Sequence, residues 1–448
     1  MARPILLYVL LSILFSCAKE DAEVTFEGMD TEFVGELDWI RSFGGSGDDS
    51  ARAIVKTNDG GFAILGSTGS IDGDIATKFE EENDYWFLKF DANGILQWNK
   101  TYGGSMDDIG QSLAQTSDGG YVLTGYSMSS DGDASNNEGF HDNWVIKLDA
   151  QGVLEWESSY GFSGHDHSYD ILEATEGGYF FTGFLDITSA RADGNTEKRN
   201  SLTSHGVGEF WGTKIDEDGS IQWRGYFGGT NNDRAHGVVQ SDDGGFVMAG
   251  FTESDDYDIS NTNGSYDFWV VKVDPFGNLL WERSFGGEGI DISYDIAKTA
   301  DDGYVLVGNT FSSNGDVFLN HGESDIWMIK IDVEGNLIWE KTYGGSKFDL
   351  AQAVVQSKDG GFLIAGNTKS DDKDSLLNNG ENDIWVVKTN AFGELVWEKS
   401  FGGSGLDFAF DLIENEDGSV MVVGETASSD FQSLTSKGNT DLIFLKIK

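Results

Sequence analysis

Two histidines flank an aspartate at His165-Asp166-His167, and five of the six histidines fall between positions 141 and 236, at His141, His165, His167, His205 and His236. Neutral imidazole nitrogens ligate metals and serve as general bases near neutral pH, so a metal or a proton-transfer step would find its groups here. The same stretch carries Arg191, Lys198 and Arg199, a concentration of cations in an otherwise acidic chain. His165, His167, Arg191, Arg199 and His205 are therefore the candidate ligand-binding residues. Three readings of the stretch stand: a binding hot spot, a metal or catalytic centre, and neutral variation of a loop. Other chemistry has little to work with. There is no G-x-S-x-G elbow, no H-E-x-x-H and no phosphate loop, and the single cysteine lies at position 17. Paired carboxylates for glycoside cleavage remain possible among 77 acidic residues.

The elements that must position these groups come in copies. An aromatic-Gly pair recurs at Phe43, Tyr102, Tyr160, Phe227, Phe285, Tyr343 and Phe401, at spacings of 59, 58, 67, 58, 58 and 58 residues. A Trp stands four residues before each aromatic, from Trp39 to Trp397, and the other six Trp share a second equivalent position, which accounts for all 13. A fixed period of this kind marks a repeat architecture. Each unit reads as four strands, which in the first unit are 51–57, 62–67, 85–90 and 95–101. Asp59-Gly60-Gly61 and Ala92-Asn93-Gly94 are hairpin turns, because Asp, Asn and Gly tolerate the positive φ that tight turns need. The Gly found 23 residues after every aromatic, Gly66 in the first unit, predicts a strand bend or a packing too close for a Cβ.

Seven four-stranded units predict an all-β, seven-bladed β-propeller. The last unit stops at Lys448 after its third strand, while 37–41 is a fourth strand with no unit before it. The N-terminal strand is thus expected to complete the last blade, closing the ring and pairing both exposed edges. A linear solenoid has no reason to split its repeat in this way. The pattern Gly44-Gly45-Ser46 with Asp49 and Ala51, then Asp59-Gly60-Gly61 with Gly66, resembles the seven-bladed propeller repeat of secreted bacterial proteins. The resemblance covers residues 37–448 and implies a fold and an extracytoplasmic setting, with no single activity attached. Segments such as Asp149 to Trp156 also resemble those of quinone-cofactor propellers, although a hairpin followed by a packed Trp needs no cofactor.

In such a ring the first strands converge on an axis, and the residue eight after each aromatic is always small, as at Ala51 and Gly110. Two residues earlier every unit has an Asp: Asp49, Asp108, Asp166, Asp233, Asp291, Asp349 and Asp407. These carboxylates are expected either to ring one mouth of the channel or to cap their own Gly-Gly-Ser links. Further along the same face stand Asp170, Asp295 and Asp411, whose oxygens would suit Ca²⁺ or Mg²⁺ in the axial channel. A Lys three places after each inner Trp, from Lys89 to Lys388 with Lys446 in the last unit, predicts an ion pair in each blade or a stem lying over the sheet. The third unit departs most from the pattern: its period is nine residues longer and its link reads Gly161-Phe162-Ser163.

Residues 5–15 form an apolar run behind Arg3, too short to span a bilayer, and read as a signal segment. Leu14-Phe15-Ser16-Cys17 resembles the bacterial lipobox, with Phe15 where that pattern has a small residue. This implies residues 1–16 as a lipoprotein signal peptide, lipidation of Cys17 and a membrane contact through the lipid anchor alone. Ala18-Lys19-Glu20-Asp21 resembles the Lys-plus-acidic signal for the outer face of the outer membrane in Bacteroidota-type bacteria. Residues 17–36 read as an acidic flexible tether. With 77 acidic against 29 basic residues, a formal charge of -48, the folded domain repels phosphate backbones, which argues against a nucleic-acid partner. The expected function is a surface lipoprotein that binds a glycan or protein partner without catalysis. The alternative is a polysaccharide lyase or hydrolase centred on the third unit.

Overall fold

Turn chemistry shapes the first repeat. Asp59 Oδ1 accepts the Gly61 N–H at 3.0 Å, and Asp91 Oδ1 accepts the N–H groups of Asn93 and Ile95 at 2.8 Å each. These side-chain bonds hold the two short hairpins and leave β2 (Asp49–Lys56), β3 (Phe62–Thr68), β4 (Asp84–Phe90) and β5 (Leu96–Tyr102) to pair in sequence order. The computed structural model describes residues 35–448 except 76, 77, 79, 163, 186–207 and 433. Among them the same four-stranded antiparallel sheet occurs seven times, making a seven-bladed β-propeller. No helix among the described residues is long and apolar enough to cross a membrane.

The seventh blade closes the ring. Its strand order is β1 (Leu37–Phe43), β28 (Asp441–Ile447), β27 (Val420–Thr426), β26 (Asp407–Glu414), so the outermost strand comes from the start of the chain. The β1–β28 register runs from Leu37 opposite Ile447 to Phe43 opposite Leu442.

Apolar residues pack between neighbouring sheets. Ile54, Phe62, Trp86 and Phe90 of the first blade meet Met421, Val423, Leu442 and Phe444 of the seventh in one cluster. Within a blade, Gly66 lies opposite Ala51 on one side and Trp86 on the other, and a Cβ there would stand 1.9 Å from the Ser50 carbonyl oxygen. The sheet therefore closes over the buried Trp only with Gly at this place. Aromatic hydroxyls tie successive blades: Tyr102 Oη donates to Gly152 O at 2.7 Å, and Tyr343 Oη to Gly393 O at 2.6 Å.

The repeated lysines form ion pairs inside their blades. Lys89 reaches Asp59 at 2.8 Å, Lys147 reaches Asp118 at 2.9 Å, Lys272 reaches Asp243 at 2.8 Å and Lys388 reaches Asp359 at 2.7 Å. The third blade differs because Glu176 stands in the aspartate's place, and Lys214 donates to backbone carbonyls of Gly177 and Ile215. Burial lowers the Lys214 pKa from its ordinary value.

Candidate functional site

Links between blades and the long connections from second to third strands lie on one face of the ring. Ser46 N–H donates to Asp72 at 2.7 Å and Gly44 N–H to Asp74 at 3.0 Å, joining link to long loop in the first blade. At each seam the residue before the third strand of one blade runs beside the residue before the first strand of the next. His141 and His165 occupy this position between the second and third blades, as Tyr266 and Ile290 or Ser324 and Phe348 do elsewhere.

His141 precedes β8 (Asp142–Leu148), while His165 precedes β10 (Asp166–Glu173), on which His167 is the second residue. The Asp166 N–H donates to His141 O at 2.8 Å, which fixes the two backbones side by side. His141 Nδ1 then lies 2.8 Å from His167 Nε2 and 3.1 Å from His165 Nδ1. His165 is exposed, and the other two are half-buried. The His167 ring stacks on Tyr126 of β7 (Tyr121–Ser127) at 3.9 Å and 14°, with Phe184 of β11 (Tyr179–Leu185) at 4.8 Å. Exposed Phe140 leans on His165 with ring centroids 5.0 Å apart. Burial, followed by the charges of His141, His165 and Arg234, pulls the His167 pKa down to about 3. Burial and then His165 lower that of His141. Both imidazoles are thus held neutral, the form that offers a lone pair.

Deeper in the channel a second aromatic group appears. Each inner strand has a β-bulge after its third residue, and the extra residue is Tyr169 in β10, His236 in β14 (Asp233–Gln240) and Tyr294 in β18 (Asp291–Lys298). The three rings form a row, with centroids 5.0 Å apart from Tyr169 to His236 and 5.1 Å from His236 to Tyr294. Burial and then the Arg234 charge bring the His236 pKa down to about 3.

Asp170, Asp295 and Asp411 follow these bulges. Asp170 accepts Ser112 Oγ–H at 2.8 Å and Val238 N–H at 2.9 Å, from the blades on either side. Asp295 accepts Val354 N–H and Asp411 accepts Ile54 N–H, each at 2.8 Å and each from the following blade. The carboxylates act as staples between blades. Burial raises Asp170 to about 6 and Asp411 to about 7, and raises Asp295 well above the carboxylate range with the charges of Asp170 and Asp411 adding to it.

The other seven aspartates begin the inner strands and are wholly buried. Asp49 Oδ2 accepts Gly45 N–H at 2.7 Å and Ser70 Oγ–H at 2.8 Å, while Thr68 donates to Oδ1. The Gly-link bond recurs at Asp108, Asp233, Asp291, Asp349 and Asp407 at 2.8 Å, and Phe162 N–H donates to Asp166 at 2.6 Å. A further set, unnoticed in the sequence, opens third strands: Asp84, Asp142, Asp267, Asp325, Asp383 and Asp441 each have a buried Oδ1 without a hydrogen-bond partner. Burial pushes Asp84 to about 7 and Asp142 to about 6.

The structure thus brings His165 and His167 together and adds His141, Tyr126 and Phe184. Arg191, Lys198, Arg199 and His205 of the third sequence unit lie outside the described residues, as do Cys17, the signal segment 1–16 and the tether up to residue 34. His141 stands one residue before the third strand, a place that faces the next unit's link at several seams, and this relation becomes visible only once the ring sets neighbouring units side by side.

No protein-family model matches the chain. The regulatory protein FlaEY of Caulobacter vibrioides is 26% identical over 178 residues, which is 36% of this chain and 18% of that protein. The chain therefore spans well under two thirds of the length of that relative. Among solved structures, Sqt1 from Chaetomium thermophilum superposes with a TM-score of 0.47 and 12% identity, over 93% of this chain and 100% of that one. The Pan2 WD40 domain of Neurospora crassa gives 0.46 and 9%, over 92% and 97%. BamB from Moraxella catarrhalis gives 0.40 and 11%, over 92% and 100%. The seven-bladed ring follows from the strand order and the β1–β28 register of this chain itself.

Proposed function

We propose that this chain is a lipid-anchored lipoprotein of the outer membrane, displayed at the cell surface, whose propeller binds a glycan or protein partner through its long-loop face without catalysis. The observation that carries the reading is the departure from repetition on that face. Equal blades need no unique residues, whereas a specific ligand does, and the seam of the second and third blades gathers three histidines and an exposed Phe140 that the other described seams do not repeat. Further exposed aromatics stand on long loops of the same face, with Tyr257 60% and Phe318 86% exposed. Aromatic faces of this kind stack on sugar rings or anchor protein interfaces.

A glycan array and pull-down from the producing cell's surface fraction, run beside turnover assays on the same polysaccharides, test it. Saturable binding without products is expected, weakened about tenfold or more by Phe140→Ala. Product formation lost on His167→Ala would replace the binding module with an enzyme. The address is tested by labelled-lipid incorporation: label on wild type and none on Cys17→Ala is expected, and label on both would remove the anchor.

A further inference from the structure

We propose that His141, His165 and His167 hold one divalent transition-metal ion, of which Zn²⁺ is the type, at the mouth of the seam between the second and third blades. The inference goes beyond the partner-binding reading and needs neither a glycan nor a protein.

Three ring nitrogens converge there, within 4.8 Å of one another. A neutral imidazole nitrogen carries either a proton or one lone pair, so His141 Nδ1, close to both His167 Nε2 and His165 Nδ1, can make a proper hydrogen bond with only one of them. The third nitrogen is left pointing at a filled position. A cation placed among them accepts all three lone pairs at once. Zn–N bonds of about 2.0–2.1 Å at tetrahedral angles separate their nitrogens by about 3.3 Å. The two short separations, 2.8 and 3.1 Å, reach that value through movements of a few tenths of an ångström, while the third pair, within 4.8 Å, needs a larger turn of the exposed His165 ring.

The donors are also held in place. His141 and His165 sit on paired backbones, and His167 is clamped between Tyr126 and Phe184. Three imidazoles without a carboxylate suit Zn²⁺ and its neighbours, while Ca²⁺ and Mg²⁺ require oxygen. Exposed His165 opens the ion to solvent, which leaves a fourth position for water or a ligand. The Asp107 charge favours a cation beside His141, and that of Arg234 opposes one beside His167. The fold does not ask for this cluster. At the seam of the fourth and fifth blades the three places are Tyr266, Ile290 and Ile292, which offer no imidazole.

The test is calorimetric titration of the full-length chain with Zn²⁺, in excess Mg²⁺ to occupy surface carboxylates, with Co²⁺ absorption reporting imidazole coordination. One ion per chain is expected, bound at least about tenfold more weakly by His165→Ala and by His141→Ala. His321→Ala serves as the control, since its ring pairs with Asp325 away from the cluster, and should leave binding unchanged. His165 is exposed, so its variant should keep the apo melting temperature; should His141→Ala fail to fold, His165→Ala and His165→Gln decide. Absence of saturable Zn²⁺ binding in the wild type overturns the proposal. So does binding that survives unaltered in the His165 variants, which would identify carboxylates as the ligands.

Discussion

Gly60 and Gly66 belong to one hairpin and differ in what surrounds them. Gly60 has φ +82° and open space where a Cβ would stand, whereas the same atom on Gly66 would lie 1.9 Å from Ser50 O. Gly60→Ala therefore adds only the strain of a left-handed residue, about 1 kcal/mol. Gly66→Ala must push β3 away from β2 over a buried Trp, at roughly 3 kcal/mol or more. Urea unfolding of the two variants should show the second far less stable, and equal midpoints would mean that the sheet yields freely. The close approach at Gly66 was legible because a Gly recurs there in all seven units. The partner of His165 was not. His141 belongs to the preceding blade, and only the ring, which sets each link beside the previous third strand, makes the two neighbours.

At the scale of a strand, the bulge decides what lines the channel. Simple alternation puts Asp166, Ser168 and Asp170 on one face, as expected from the sequence. In β10 the first two are indeed buried together, but the extra residue Tyr169 resets the register, and Tyr169 and Asp170 are both half-buried. No Gly or Pro signals the irregularity in the sequence, since the bulged places hold residues such as Arg52, Gln111 and Phe410. The result is a titration with a defined sign. A carboxyl whose folded pKa is raised keeps its proton where the unfolded chain has lost it. Its stabilising contribution is complete below the ordinary value of 3.8 and is lost as pH rises through about 6 for Asp170 and about 7 for Asp411. His167 and His236, depressed to about 3, act oppositely and weaken the fold as pH falls below 6.5. The carboxyls outnumber them, with Asp84, Asp142, Asp267, Asp325 and Asp383 also raised to about 6 or 7. Calorimetry should find the thermal midpoint falling from mildly acid to mildly alkaline pH. The slope should be shallower in Asp411→Asn, whatever the offset from its lost bond to Ile54. An unchanged slope would mean that Asp411 is ionised throughout.

For the whole molecule, the ends of the chain carry the ring. Glu36 and Lys448 exchange backbone hydrogen bonds of 2.8 and 2.9 Å beyond the β1–β28 ladder. Trp39 packs edge-on against Phe444 at 5.1 Å in the seventh blade, and also covers Gly94 in the outer hairpin of the first. One strand thus completes the last sheet and seals it to the first blade, which is the arrangement the split repeat implied. A chain beginning at Gly44 would expose the edge of β28 and uncover Phe444. Losing the Trp39 contact alone costs about 3 kcal/mol, and for a ring of about 410 residues, at roughly 1.2 °C per kcal/mol, the midpoint should fall by roughly 3–4 °C from that contact. The exposed edge should also drive self-association, because its unpaired N–H and C=O groups form a template for another strand. A peptide of residues 35–46 supplies that strand, and its binding should raise the midpoint in proportion to the logarithm of its concentration and suppress the association. A truncated chain that melts with the intact one, or that no concentration of the peptide stabilises, would show that the seventh blade holds without its fourth strand and that closure rests on contacts near the axis instead.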